Sequence, residues 1–212
     1  MNDTTNKKSE GRPSTSKRIN ARRIATYAMY FAIIFIAFNI DSTLSFLGIL
    51  KFAIITLATV TTLVLFSQNY LEAALVGAFF GISSLIANIY FPNANSPYFL
   101  NPLVSVLPRI MVGLASFTAF RLMRKITAKS SHSERISAIV AAAVAPIVNT
   151  TLVLTALSIA NPAVDSLLLL IKGVLVTNFV PEFLGCVILT PILAPSIAKP
   201  TKIHLGGVKP IK

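Results

Sequence analysis

Six long apolar runs, divided by short polar breaks, constrain this chain more than any other feature. A helix that crosses the hydrocarbon core of a bilayer needs about 20 mostly apolar residues. Runs of that character extend over Ile24 to Asn39, Ile49 to Phe66, Leu71 to Tyr90, Pro102 to Met123, Ile136 to Ala160 and Ile171 to Ile197. The first closes at the polar break Asn39-Ile40-Asp41-Ser42-Thr43, the second at Ser67-Gln68-Asn69, and the third at the turn-forming run Pro92-Asn93-Ala94-Asn95-Ser96-Pro97. Lys51 blurs the start of the second run, so a tilted or partly interfacial helix is an alternative there. Composition agrees: 54% of the 212 residues are hydrophobic and 12% charged, about half the charged share of a soluble domain. The pattern predicts an all-α polytopic membrane protein with six transmembrane helices.

The net charge of +12 is placed rather than spread. Lys7, Lys8, Arg12, Lys17, Arg18, Arg22 and Arg23 precede the first run. Arg121, at the end of the fourth run, and Arg124, Lys125, Lys129 and Arg135 form the group before the fifth, and Lys199, Lys202, Lys209 and Lys212 follow the sixth. With six crossings all three groups fall on one side, and the excess of cations on cytoplasmic loops predicts that both termini are cytoplasmic. The expected organisation is a disordered basic tail over residues 1–23, a membrane domain over 24–198 and a basic tail over 199–212. The first tail has no apolar core of the kind a secretory signal carries. Basic juxtamembrane clusters attract anionic lipid at roughly 1 kcal/mol per residue, so the charge calls for the lipid bilayer as partner and for no nucleic acid.

Two helical faces are rich in small residues. Ala25, Ala28, Ala32 and Asn39 share one face of the first helix, and Gly77, Gly81, Ser84 and Asn88 share one face of the third. In lipid, close backbone approach through small residues drives helix association. The glycine face suits packing within the chain; the alanine face suits either that or docking on another membrane protein.

Polar groups at membrane depth are costly and mark function by default. Arg109 falls about 10 Å into the fourth run by helical rise, with Ser105 and Ser116 on its face and Pro108 beside it removing a backbone donor. Asn178 and Glu182 are four residues apart in the sixth run, with Pro181 between them, and Asn149 follows Pro146 in the fifth. Asn39, Asp41, Lys51, Tyr98 and Asn101 gather near the predicted outer rim. Two accounts stay open: an Arg109–Glu182 ion pair that fixes the bundle, or a cavity for an anionic small ligand served by Arg109 and Lys172. Trp is absent and aromatics near the rim are few, which favours a small, flexible carboxylate over a stacked ring.

Several chemistries lack their residues. There is no G-x-x-x-x-G-K-[ST] to cradle ATP, no H-E-x-x-H and no G-x-S-x-G elbow. His132 and His204 lie in predicted cytoplasmic segments, and Cys186 is the single cysteine, inside an apolar run. No catalytic residue, metal site or cofactor is expected, and the chain is not expected to be an enzyme.

The run Asn101-Pro102-Leu103-Val104-Ser105-Val106-Leu107-Pro108-Arg109-Ile110-Met111-Val112-Gly113, with Ala28-x-x-x-Ala32 and Asn178-Phe179-Val180-Pro181-Glu182-Phe183, resembles the substrate-binding S components of energy-coupling factor (ECF) vitamin transporters. The likeness covers about residues 22 to 198. It implies a bacterial plasma-membrane subunit that binds a vitamin from outside, beneath a gating loop near residues 39–51. Such a subunit docks on a transmembrane coupling subunit served by two cytoplasmic ATPases and topples to deliver its ligand. Carried onto this chain, Ala25, Ala28 and Ala32 would dock, and Asn39, Asp41, Lys51, Tyr98, Asn101, Ser105, Arg109, Asn149, Lys172, Asn178 and Glu182 would line the vitamin site. The pantothenate, folate and riboflavin branch is the nearest in pattern, pantothenate first. A different class stays open beside it: a bacterial cell-shape or division membrane protein acting as an adaptor.

Overall fold

The computed structural model describes residues 21–47, 53–92, 96–160 and 179–201, and every regular element among them is a helix. In chain order these are α1 (Ala21–Phe46), α2 (Ile54–Leu65), α3 (Tyr70–Tyr90), α4 (Ser96–Phe99), α5 (Pro102–Ser105), α6 (Leu107–Ile126), α7 (Ser133–Ala160) and α8 (Val180–Thr201). Among the described residues, four stretches are long and apolar enough to cross a membrane: Arg23–Phe46, Tyr70–Tyr90, Pro102–Ile126 and Ser133–Ile159. Two apolar helices, Ile54–Leu65 and Val180–Pro195, are shorter. Large apolar side chains such as Ile36, Leu122, Ile126, Ile188 and Ile192 point outward, as in a membrane protein, whose helices meet lipid rather than water.

Short α2 is the hub. It touches α1, α3, α6, α7 and α8, and Leu57, Ala58, Val60, Leu63 and Val64 are buried with Ile34, Val76, Phe80, Val112 and Phe117 in the main core. A helix apolar on every side is one enclosed on every side. Two of its buried hydroxyls are satisfied inside the helix: Thr61 Oγ1 donates to the Leu57 carbonyl at 2.8 Å and Thr62 Oγ1 to the Ala58 carbonyl at 2.7 Å. With 12 residues, α2 is about 18 Å long, short of the roughly 30 Å hydrocarbon core. The second run predicts a helix from Ile49; the described helix starts at Ile54, after the N-cap residue Ala53. The cause is tertiary, because acceptors from two other helices end α2 there.

The polar break predicted after Asn39 is not a break. Helix α1 continues through residues 39–43 to Phe46. Asn39 Nδ2 donates to the Phe35 carbonyl at 2.7 Å and Thr43 Oγ1 to the Asn39 carbonyl at 2.8 Å, so these side chains satisfy themselves on the preceding turn. The fourth run departs from a single straight helix at its other end, where Val106 separates α5 from α6. Asn101 caps α5, its side chain accepting the Leu103 N–H at 3.0 Å. At the opposite end of the bundle Asn69 caps α3 by accepting the Glu72 N–H at 2.9 Å, and Glu72 accepts the Gln68 N–H at 2.8 Å, a near capping box.

Glycines set the α3–α6 spacing. A Cβ on Gly77 would fall 2.8 Å from Ile110 Cα and against the Arg109 carbonyl; one on Gly81 would fall 2.6 Å from Val106 Cα. A Cβ on Gly113 would strike the Ala73 carbonyl. Contacts that climb α6 descend α3, so the two helices run antiparallel, and the glycine face packs within the chain. Gly77→Ala and Gly113→Ala both press a methyl onto backbone that cannot turn aside, an overpacking of roughly 1–3 kcal/mol. Each is expected to lower the thermal midpoint of the detergent-purified protein by several degrees in a size-exclusion melt, while Ile82→Leu on the exposed side of α3 leaves it unchanged.

Candidate functional site

Proline chemistry places the central cation. Pro108 lies in the first turn of α6, where its missing N–H deprives the Val104 carbonyl, four residues earlier, of its helical partner. Arg109 fills the gap: its Nη1 donates to the Val104 carbonyl at 2.9 Å. The guanidinium lies 5.2 Å from the Phe99 ring centroid and 5.7 Å from that of Phe80, contacts that gain up to about 2 kcal/mol each when desolvated. Arg109 is only 6% exposed, and its Nε has no hydrogen-bond partner.

Two carboxylates approach from other helices. Asp41, on the inner face of α1 with Ile34 and Ala37, accepts the Thr56 N–H at 2.7 Å and the Thr56 hydroxyl at 2.6 Å through Oδ2. Glu182, in the first turn of α8, accepts the Ala53 N–H at 3.1 Å through Oε1. Ala53 offers no cap of its own, so α2 is capped in trans by α1 and α8. Negative charge at a helix N-terminus is favoured by the aligned peptide dipoles, which helps both acids to be retained in the interior.

Asp41, Arg109 and Glu182 line one cavity of about 310 Å³. Phe38, Phe46, Phe91 and Phe99 supply apolar walls, and Ser42, Ser45, Ser84 and Asn88 add polar atoms. Asn88 braces its floor, donating Nδ2 to the Ser84 carbonyl at 2.8 Å and accepting the Ser96 hydroxyl at 2.8 Å. All these residues lie at the end of the bundle where α1 finishes, α2 starts and α3 finishes. The basic turn between α6 and α7 is at the other end, and holds the direct ion pair found among the described residues, Arg124–Glu134 at 3.4 Å.

The expected site residues divide accordingly. Asp41, Arg109 and Glu182 meet in the cavity, and Arg109 and Glu182 do not pair directly, each having a backbone partner instead. Asn39 turns back onto its own helix, Asn101 caps α5 at an exposed position, and Ser105 Oγ faces the Gly81 carbonyl at 3.4 Å. Asn149 lies on α7, away from the cavity wall, with Oδ1 buried and unpartnered. Lys51, Lys172 and Asn178 fall outside the described residues, as does the Tyr98 side chain. The expectation of few aromatics is corrected by the four phenylalanines, which come from separate parts of the chain and converge only on folding. Ser84 and Asn88 had a sequence signal, because they extend the glycine face of α3 toward the rim. Ala25, Ala28 and Ala32 are exposed on the outer side of α1.

Removing the Asp41 acceptor tests the trans cap. Asp41→Ala leaves the Thr56 N–H and hydroxyl without their acceptor and is expected to cost about 1–3 kcal/mol. Asp41→Asn retains an acceptor oxygen and should lose less than half of that, read as the difference in thermal midpoint between the two purified variants.

No protein-family model, curated protein or solved structure matches this chain.

Proposed function

We propose that this chain is the vitamin-binding S component of an ECF-type importer in a bacterial plasma membrane. In this proposal the membrane domain crosses six times, α2 and α8 supplying two of the crossings, and both termini are cytoplasmic. The observation that carries it is Arg109: a nearly fully buried guanidinium with an unpartnered Nε, held by aromatic rings on the wall of a cavity at one end of a membrane bundle. A buried cation that makes no direct ion pair and leaves a donor unpartnered is costly, and a ligand anion offsets that cost. The cationic α6–α7 turn is at the far end of the bundle, so the positive-inside rule turns the cavity outward, toward incoming substrate.

The cavity volume is at the low end of the about 300–1,000 Å³ typical of ligand sites. That size favours pantothenate, a compact carboxylate, with folate and riboflavin as alternatives whose flat rings suit the phenylalanine walls. Energy comes from partners: a transmembrane coupling subunit with two cytoplasmic ATPases, docked on the exposed Ala25, Ala28 and Ala32 face. The adaptor alternative needs Arg109 and Glu182 to serve as each other's structural partner, and their hydrogen bonds run to backbone atoms instead.

Equilibrium binding of labelled pantothenate, folate and riboflavin to the purified full chain tests the proposal. One of the three is expected to bind with sub-micromolar affinity, and Arg109→Ala to weaken it about tenfold or more. Failure of all three to bind overturns the reading. Ala28→Trp is expected to abolish uptake in cells that co-express the coupling module while leaving binding intact; equal loss of binding and uptake removes the docking role of that face.

A further inference from the structure

The cavity is lined by groups of both charge signs. Arg109 offers five N–H donors, of which one goes to the Val104 carbonyl, and Nε has no partner. The same cavity is lined by Asp41 and Glu182. A carboxylate can accept about four hydrogen bonds; Glu182 receives the Ala53 N–H, and Asp41 receives the Thr56 pair with the Ile55 N–H nearby. Acceptor capacity therefore remains on both acids, facing a space they share with an incompletely satisfied guanidinium. A ligand that is only an anion would answer Arg109 and set its other surface against two carboxylates. A ligand that is only a cation would leave Arg109 unanswered.

We infer that the ligand is bipolar, presenting an anionic or acceptor end to Arg109 and hydrogen-bond donors to Asp41 and Glu182, which makes these two acids the specificity-determining residues of the site. The donors are hydroxyl, amide N–H or ammonium groups. The inference rests on the proposed function, in that it takes this cavity as the substrate site. It differs from it by assigning the two acids to the ligand's donor end as well as to the α2 cap. A polar group left unpaired in a closed site is penalised heavily, so such a site rejects analogues that lack the matching donor.

Matched pairs differing in donors test this on the full chain: pantothenate against its analogue with both hydroxyls replaced by hydrogen, folate against 2-desaminofolate, and riboflavin against 3-methylriboflavin. For the vitamin that binds, the donor-bearing member is expected to bind about tenfold or more tightly than its partner. Glu182→Gln keeps an oxygen for the Ala53 N–H and presents an NH₂ donor in place of the other oxygen. It should shrink that preference to about twofold or less, with the thermal midpoint showing that the variant is folded. Asp41→Asn is the second variant, with the same expected direction. A pair that binds equally to the wild type, or a preference untouched in both variants, overturns the inference while leaving the binding function standing. Absence of binding by every vitamin overturns both.

Discussion

The N-terminal amides of α2 are the constraint around which the bundle is arranged. This helix starts beside the cavity, where Ala53 is half-buried and Thr56 buried, and a buried polar group left without a partner is costly. Its N-cap residue is an alanine, which offers no acceptor. The acceptors come from Asp41 on α1 and Glu182 on α8, so three helices distant in sequence meet at one point. That junction requires α1 to continue helically past its polar residues and α8 to carry an acid in its first turn. Both are observed.

The same economy recurs at the start of α6. Pro108 leaves a carbonyl without its helical partner, and the next residue provides the donor. Gly77 and Gly81 let the backbone around residues 105–110 approach α3, which lodges Arg109 between Phe80 and Phe99. Side chains that repair backbone defects are thus the ones that line the cavity. These polar side chains are retained in the interior because each has a partner there, and each still has hydrogen-bonding capacity to spare.

Much of this was legible from residues alone. Apolar runs marked the helices, Pro108 marked the irregular backbone, and the depth of Arg109 and Glu182 marked them as exceptional. Their direct pairing was one of two accounts the spacing allowed, since periodicity places a residue on a face of its own helix but says nothing of the distance to another. Asn39 and Asp41 illustrate the limit. Both are polar residues near a predicted rim, two positions apart, yet one bonds to its own helix and the other crosses to α2. Phe38, Phe46 and Phe91 were equally hidden, for no local window contains them together with the Tyr98–Asn101 segment that carries Phe99.

The sequence by itself determined that this chain is a helical membrane protein, through long apolar runs, and it set the expected orientation through the placement of its cations. Those are properties of composition along a line, and the bilayer acts on them one segment at a time. Only the tertiary structure decided which polar groups meet. It started α2 at Ile54, gave Asp41 and Glu182 a shared helix to cap, and placed Arg109 on the same cavity without a direct ion pair to Glu182. The physical reason is that hydrogen bonding and close packing depend on distances of a few ångströms between helices, which glycine contacts and a proline defect fix only once the helices have packed.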